Sequence, residues 1–109
     1  MAELSVEPPV AQVPAEGGAS RHELTNNTEV RLAIKIKCSD NDLYRVQPVY
    51  AFVNPQEPLG VDVQRLAGEP KEDRLVIQYV AAGEEVADPK DLFPVGGAFP
   101  ELTLPLSAQ

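Results

Sequence analysis

Few residues in this chain could do chemistry. There is one histidine, His22, and one cysteine, Cys38. No Ser, Cys or Asp stands at a spacing from His22 that would make a nucleophile–base set, so His22 is expected to be structural. Cys38 falls on the inward side of an alternating run and reads as a small core hydrophobe, not a reactive thiol. A metal site needs several His, Cys or clustered carboxylates, which the chain does not offer. Asp40 and Asp42 stand in a turn without the Gly and terminal Glu of a Ca2+ loop. Asn26-Asn27-Thr28 fits a glycosylation sequon, but turn capping is the expected role. Gly17-Gly18 and Gly96-Gly97 are bare loop pairs, with no phosphate-binding context. No catalytic activity and no cofactor are expected.

What remains is charge carried on a strand. Val30, Leu32, Ile34, Ile36 and Cys38 alternate with Arg31, Ala33, Lys35 and Lys37. A period of two is the signature of a half-buried β-strand, apolar on one face and cationic on the other. The run then turns through Ser39-Asp40-Asn41-Asp42 and leaves past Pro48 and Pro55.

Around it lie other short runs. Leu4 to Val13 reads as one strand kinked at Pro8-Pro9 and switching sheets. Residues 20–25 alternate weakly. Tyr44 to Gln47 continues past the turn until Pro48 ends or bulges it, and an apolar run follows to Val53. Leu59, Val61 and Val63 alternate; residues 67–73 read as a polar loop; Leu75, Ile77 and Tyr79 alternate inward in residues 74–80. Residues 82–90 are acidic and loop-like, Asp88 to Phe93 can form one helical turn, and 94–98 is a loop. Leu102, Leu104 and Leu106 make a last strand that Pro105 should hold to an edge. The sum is an all-β, seven-stranded, immunoglobulin-like sandwich in a single domain spanning 1–109. Its core should include Leu32, Ile34, Ile36, Val46, Val61, Val63, Leu75 and Ile77. Eleven prolines and seven glycines spread along 109 residues fit short strands and many turns. At least one cis bond is expected among Glu7-Pro8, Gln47-Pro48 and Asn54-Pro55.

A formal net charge of −8 argues against general binding to nucleic acid. The acidic start Met1-Ala2-Glu3 lacks a signal peptide's apolar run, no membrane anchor is visible, and a lone cysteine fits a reducing, cytoplasmic setting. In an immunoglobulin-like topology the Arg74 strand lies beside the central one. That sets Arg74 and Val76 on the face of Lys35 and Lys37. Cations around an apolar spot would suit an acidic peptide; the plainer reading is a solvated face paired with nearby Asp and Glu.

Residues 26–55 resemble the major sperm protein (MSP) domain. The pattern is carried by Leu24-Thr25-Asn26-Asn27-Thr28, Ile34-Lys35-Ile36-Lys37-Cys38-Ser39, Tyr44, Val46-Gln47-Pro48 and Ala51-Phe52-Val53-Asn54-Pro55. Asp73 to Tyr79 resembles a further strand of that family, and Leu4 to Pro8 its opening strand. The likeness covers roughly residues 4–80 and is greatest to the short, nematode sperm-specific class P members. It implies an immunoglobulin-like fold, structural roles for Pro8, Pro48 and Pro55, and a non-enzymatic part in the sperm cytoskeleton and motility. The implied partners are the protein itself, major sperm protein, or an acidic peptide. In the VAP branch the positions matching Lys35, Lys37, Ser39, Arg74 and Val76 form a groove for acidic two-phenylalanine (FFAT) motifs, so a similar groove is implied here. Cys38-Ser39 replaces the family's Thr-Thr, Ala51 replaces a glycine, and the acidic residues 82–91 are this chain's own. These departures bear on filament assembly more than on the fold.

Overall fold

The computed structural model describes residues 3–94 and 96–109. Met1 and Ala2 of the acidic start, and Val95 of the expected 94–98 loop, lie outside the described residues. The strands are β1 (Leu4–Glu7), β2 (Ala11–Val13), β3 (Gly18–Asn26), β4 (Leu32–Cys38), β5 (Tyr44–Gln47), β6 (Tyr50–Val53), β7 (Pro58–Arg65), β8 (Lys71–Ala81) and β9 (Glu101–Ala108). One turn of 3-10 helix, Pro89–Leu92, precedes β9. A four-stranded sheet ordered β1-β3-β7-β5 faces a five-stranded sheet ordered β2-β9-β8-β4-β6.

The seven expected runs become these nine segments because two of them change sheets at prolines. The first is cut at Pro8-Pro9, so β1 pairs with β3 in one sheet and β2 with β9 in the other. The run through Pro48 is cut likewise: β5 pairs with β7, and β6 with β4. Proline has no N–H for a ladder, so a run that changes sheets can do so at that residue. The Glu7–Pro8 and Gln47–Pro48 bonds are both cis. Pro55 instead forms an isolated parallel bridge with Asn26.

Period-two alternation fills the space between the sheets. Leu32, Ile34, Ile36, Val61, Val63, Leu75 and Ile77 are buried as expected, joined by Leu4, Leu24, Tyr44, Leu104 and Leu106. Val46 and Cys38 are half-buried at the rim, packed on the same cluster.

Buried polar side chains tie the layers together. Asn26 donates from its amide to the Val30 and Val53 carbonyls, at 2.7 and 2.9 Å. Its Oδ1 accepts from the Thr28 N–H and hydroxyl. The amide is spent on structure, as turn capping requires. His22 is fully buried and sits between the Pro8 carbonyl, 2.8 Å from Nδ1, and the Ser20 hydroxyl, 2.6 Å from Nε2. A carbonyl only accepts, so Nδ1 carries the proton and Nε2 receives the hydroxyl's. Arg65, 1% exposed, donates to the Leu66 and Glu69 carbonyls and to the Tyr44 hydroxyl.

Three sequence expectations shift. Alternation places Val30 on the inward face, but it is 52% exposed, because β4 starts at Leu32 and the Asn26 amide holds the Val30 carbonyl in a turn. The polar stretch read as a loop already belongs to β8 from Lys71, where it pairs with Ala108, Ser107 and Leu106 of β9. And β9 is no edge strand: it lies between β2 and β8. Pro105 is tolerated because β2 pairs only from Leu106 onward.

Ile34, 0% exposed in the middle of β4, tests this packing. Ile34→Ala should cost about 2–5 kcal/mol in urea unfolding, through lost burial and the residual cavity. A midpoint within error of the parent would mean that β4 is set in the wrong register.

Candidate functional site

β4 is flanked by β8 and β6, and its register decides what stands on the outer surface of the five-stranded sheet. Lys37 lies opposite Val76, and Lys35 opposite Gln78 on one side and Tyr50 on the other. The Ser39 N–H donates to the Arg74 carbonyl at 3.0 Å. Directly opposed residues of an antiparallel pair share a face. Lys35, Lys37, Ser39, Arg74 and Val76 are therefore brought together as the sequence implied. The face runs on to β9, where Pro105 opposes Arg74 and Thr103 opposes Val76.

The charges on this face are not neutralised from within. Lys37 and Arg74 are exposed, and among the described residues neither side chain takes part in an ion pair or hydrogen bond. The Lys35 ammonium lies 5.8 Å from the centre of the Tyr50 ring. The ion pairs that do form are elsewhere: Arg21 with Asp62 at 2.7 Å, and Lys71 with Asp40 and Asp73.

Ser39 closes one end of the face. Its hydroxyl donates to Asp73 at 2.8 Å and accepts the Arg74 N–H at 3.0 Å. Beyond it stands the Lys71 knot. The Lys71 ammonium hydrogen-bonded to Asp40 holds that carboxyl below its ordinary value, and Asp40 with Asp73 holds Lys71 above its own. Asp40 also accepts the N–H groups of Asp42 and Leu43, which forms the turn.

The other end is covered, and sequence reasoning missed this. Residues 82–94 and 96–100 fold back over the sheet, and Phe93 and Ala82 bury with Ala33 against Tyr50, Phe52, Val80, Leu92 and Phe99. The Phe93 and Phe99 rings meet edge to face at 4.9 Å. Arg31 latches the strap: its guanidinium stacks on Phe52, 3.8 Å from the ring centre, and donates to the Gly83 and Val86 carbonyls. Asp88 caps the Pro89–Leu92 turn by accepting from the Lys90 N–H. The signal was there in Ala33, a small residue on an otherwise cationic face, and in phenylalanines inside an apparently loose segment.

The remaining reactive groups lie apart from the open half. Cys38 lines a cleft of about 230 Å3 with Ile36, Tyr44, Val46 and Val49. Burial pushes its thiol above the ordinary value, which favours the unreactive form. A concavity of about 890 Å3 lies over the four-stranded sheet beside Arg21, Arg45, Gln47 and Gln64, away from the cationic face. Among the described residues no His, Cys, Asp and Glu side chains cluster as metal ligands, and no helix is long and apolar enough to cross a membrane.

Comparison with known proteins agrees with the fold. The family model of the MSP (major sperm protein) domain matches residues 3–95. Sperm-specific class P protein 34 of Caenorhabditis elegans is 43% identical over 105 residues, covering 96% of this chain and 98% of the relative. The solved structure of WR4, a C. elegans MSP family member, superposes with a TM-score of 0.94 at 41% identity, covering both chains fully (100% and 100%). That of SSP-19, an MSP-domain protein like family member from the same organism, gives 0.89 at 39% identity over 95% of this chain and 97% of its own.

The Lys71 knot sets a pH dependence. Asp40 is depressed below 3.8, so its contribution is present above that value and lost as pH falls through the lower, folded one. Lys71 is raised above 10.5, so its contribution is present below that value and lost as pH rises past it. Denaturant melts across pH should show the acid limb flattened in Asp40→Asn. An acid limb identical to the parent's would mean that the knot does not contribute.

Proposed function

The chain belongs to the MSP (major sperm protein) domain family, and from that premise we propose that it is a non-catalytic protein-interaction module of nematode sperm, holding an extended acidic peptide on the open half of its five-stranded sheet. One observation carries this reading: Lys37 and Arg74 stand on adjacent strands around half-buried Val76 without an acidic partner, in a chain of net charge −8. A chain with 17 acidic residues that leaves these cations unpaired keeps a local attractive field for a negatively charged segment. Val76 and the Lys stems offer apolar contact for an aromatic side chain between the charges. The strap confines the ligand to the Lys37–Arg74 end, and Lys35 marks the boundary. The only histidine is spent on the β1–β2 junction, and the cytosol of the sperm cell is the setting this role requires.

A second reading is favoured by a separate feature. β2 pairs with β9 only over Leu106–Ala108, so the first half of β9 has a neighbour on the β8 side alone among the described residues. An unpaired strand edge accepts another strand, from a second copy or from major sperm protein, in the cytoskeletal role the family implies.

The two are separable. A labelled acidic peptide with two phenylalanines should bind the parent and weaken with salt. Binding should fall by about tenfold or more in the Lys35→Glu/Lys37→Glu variant. Unchanged affinity would discard the groove. Light scattering that shows a monomer, together with no binding to major sperm protein, would discard the edge reading.

A further inference from the structure

We propose that Ser39 is a phosphorylation site for an acidophilic serine/threonine kinase, and that the phosphate closes the basic half of the sheet. The closing half of this inference rests on the groove reading above; the modification itself does not.

Position, sequence and surroundings converge on Ser39. It is exposed and lies one residue past the end of β4, at the start of a turn. Its backbone N–H holds the Arg74 carbonyl, but the ladder ends there. Asp40 and Asp42 follow at one and three residues, the acidic pattern that such kinases read. The other hydroxyls compare poorly. Ser5, Ser20, Thr25 and Thr28 are half-buried, the first and third paired within the β1–β3 ladder, and Ser107 is buried. Thr103 is exposed, but Leu104-Pro105-Leu106 follows it with no acid.

In the reaction the γ-phosphoryl group of ATP passes to Ser39 Oγ. An Oγ–P bond forms, the bond to the β,γ-bridging oxygen breaks, ADP leaves, and the hydroxyl proton goes to the kinase's catalytic base. The product changes the site in two ways. The hydroxyl that donates to Asp73 is gone, and the Asp73 carboxylate now repels the added group. A phosphate carries roughly −1.5 to −2 charges at neutral pH and accepts strongly from Lys and Arg. Lys37 lies two residues back on the same face, and Arg74 sits across the ladder. Both have long side chains with no other ion pair among the described residues, so both can turn onto the phosphate. Lys71 is already shared by Asp40 and Asp73. The groove's unpaired cations are thereby neutralised from within.

Three measurements decide it. The full chain is incubated with ATP, Mg2+ and an acidophilic kinase, and the phosphate is mapped by mass spectrometry. Label is expected on Ser39, with loss in Ser39→Ala and strong reduction in Asp42→Asn. Label confined to other hydroxyls, or none, overturns the assignment. In 31P NMR the Ser39 phosphate should titrate below the midpoint of about 6 found for an unstructured phosphoserine peptide, and return to it in Lys37→Ala/Arg74→Ala. An unshifted midpoint overturns the contact with the cations. Finally, the phosphorylated chain should bind the labelled acidic peptide about tenfold more weakly or worse. Equal affinity overturns the closing while leaving the groove intact. Absence of peptide binding by the unmodified chain overturns the groove and the closing together, and the mass and NMR readouts still decide the site.

Discussion

The Asn26 amide is the constraint from which the two sheets take their relative setting. It sits at the last residue of β3, in the four-stranded sheet, and donates to the Val53 carbonyl at the end of β6, in the five-stranded one. Its second donor holds the Val30 carbonyl, which delays the start of β4 until Leu32. All of its hydrogen-bonding groups are used, as a buried amide demands. Leaving the buried Val53 carbonyl unpaired would cost about 1–3 kcal/mol, a large share of a small domain's stability. The consequence reaches beyond the amide. A strand displaced by one residue exchanges its faces. With β4 fixed at Leu32, Ile34 and Ile36 must point inward and Lys35 and Lys37 outward. The charge pattern of the outer surface is thus anchored by a neutral side chain on the other sheet.

That outer surface is divided by packing, not by sequence pattern. Ala33 lies on the same face as Lys35 and Lys37, yet is fully buried. Its small side chain lets the strap approach, so Phe93 and Phe99 cover the β6 side of the sheet. Arg31, which simple alternation assigns to the same cationic face, is consumed in holding the strap by stacking on Phe52 and bonding two carbonyls. Of the cations Arg31, Lys35 and Lys37, the first latches the strap from just before β4, the second lies beside an aromatic ring at the boundary, and Lys37 is left open. At the far end, Lys71 is held by two carboxylates. The open region between is small, and its charge is borne by side chains on rigid strands. This arrangement suits recognition of an extended segment better than a diffuse electrostatic patch would, because the positions of the charges are set by the ladder.

The amount readable from sequence differs between fold and site for a physical reason. Alternation encodes which face a residue takes, and it gave the β4 core positions and the inward place of Cys38; the shared face of Lys35, Lys37, Arg74 and Val76 needed the strand order of an immunoglobulin-like topology as well. The prolines marked where strands leave a sheet. Alternation does not encode what lies above a face. The strap over Ala33 depends on contacts between residues more than fifty positions apart, and the phenylalanines that make it stand in a segment without period. Arg65 shows the middle case. It continues the inward series Leu59, Val61, Val63, and a cation in that place could have been read as buried; its satisfaction by the Leu66 and Glu69 carbonyls and the Tyr44 hydroxyl could not. The same limit applies to the plainer reading of the cationic face. Composition supplies acids in excess, so pairing was the reasonable expectation. Yet an ion pair needs its partner within reach, and the residues opposite Lys37 and Arg74 are Val76 and Pro105, while Asp73 of β8 and Asp40 of the turn after β4 are drawn to Lys71. An unpaired cation on a strongly acidic chain is therefore a property of register, and register is where a sequence-based reading of this face has to be tested.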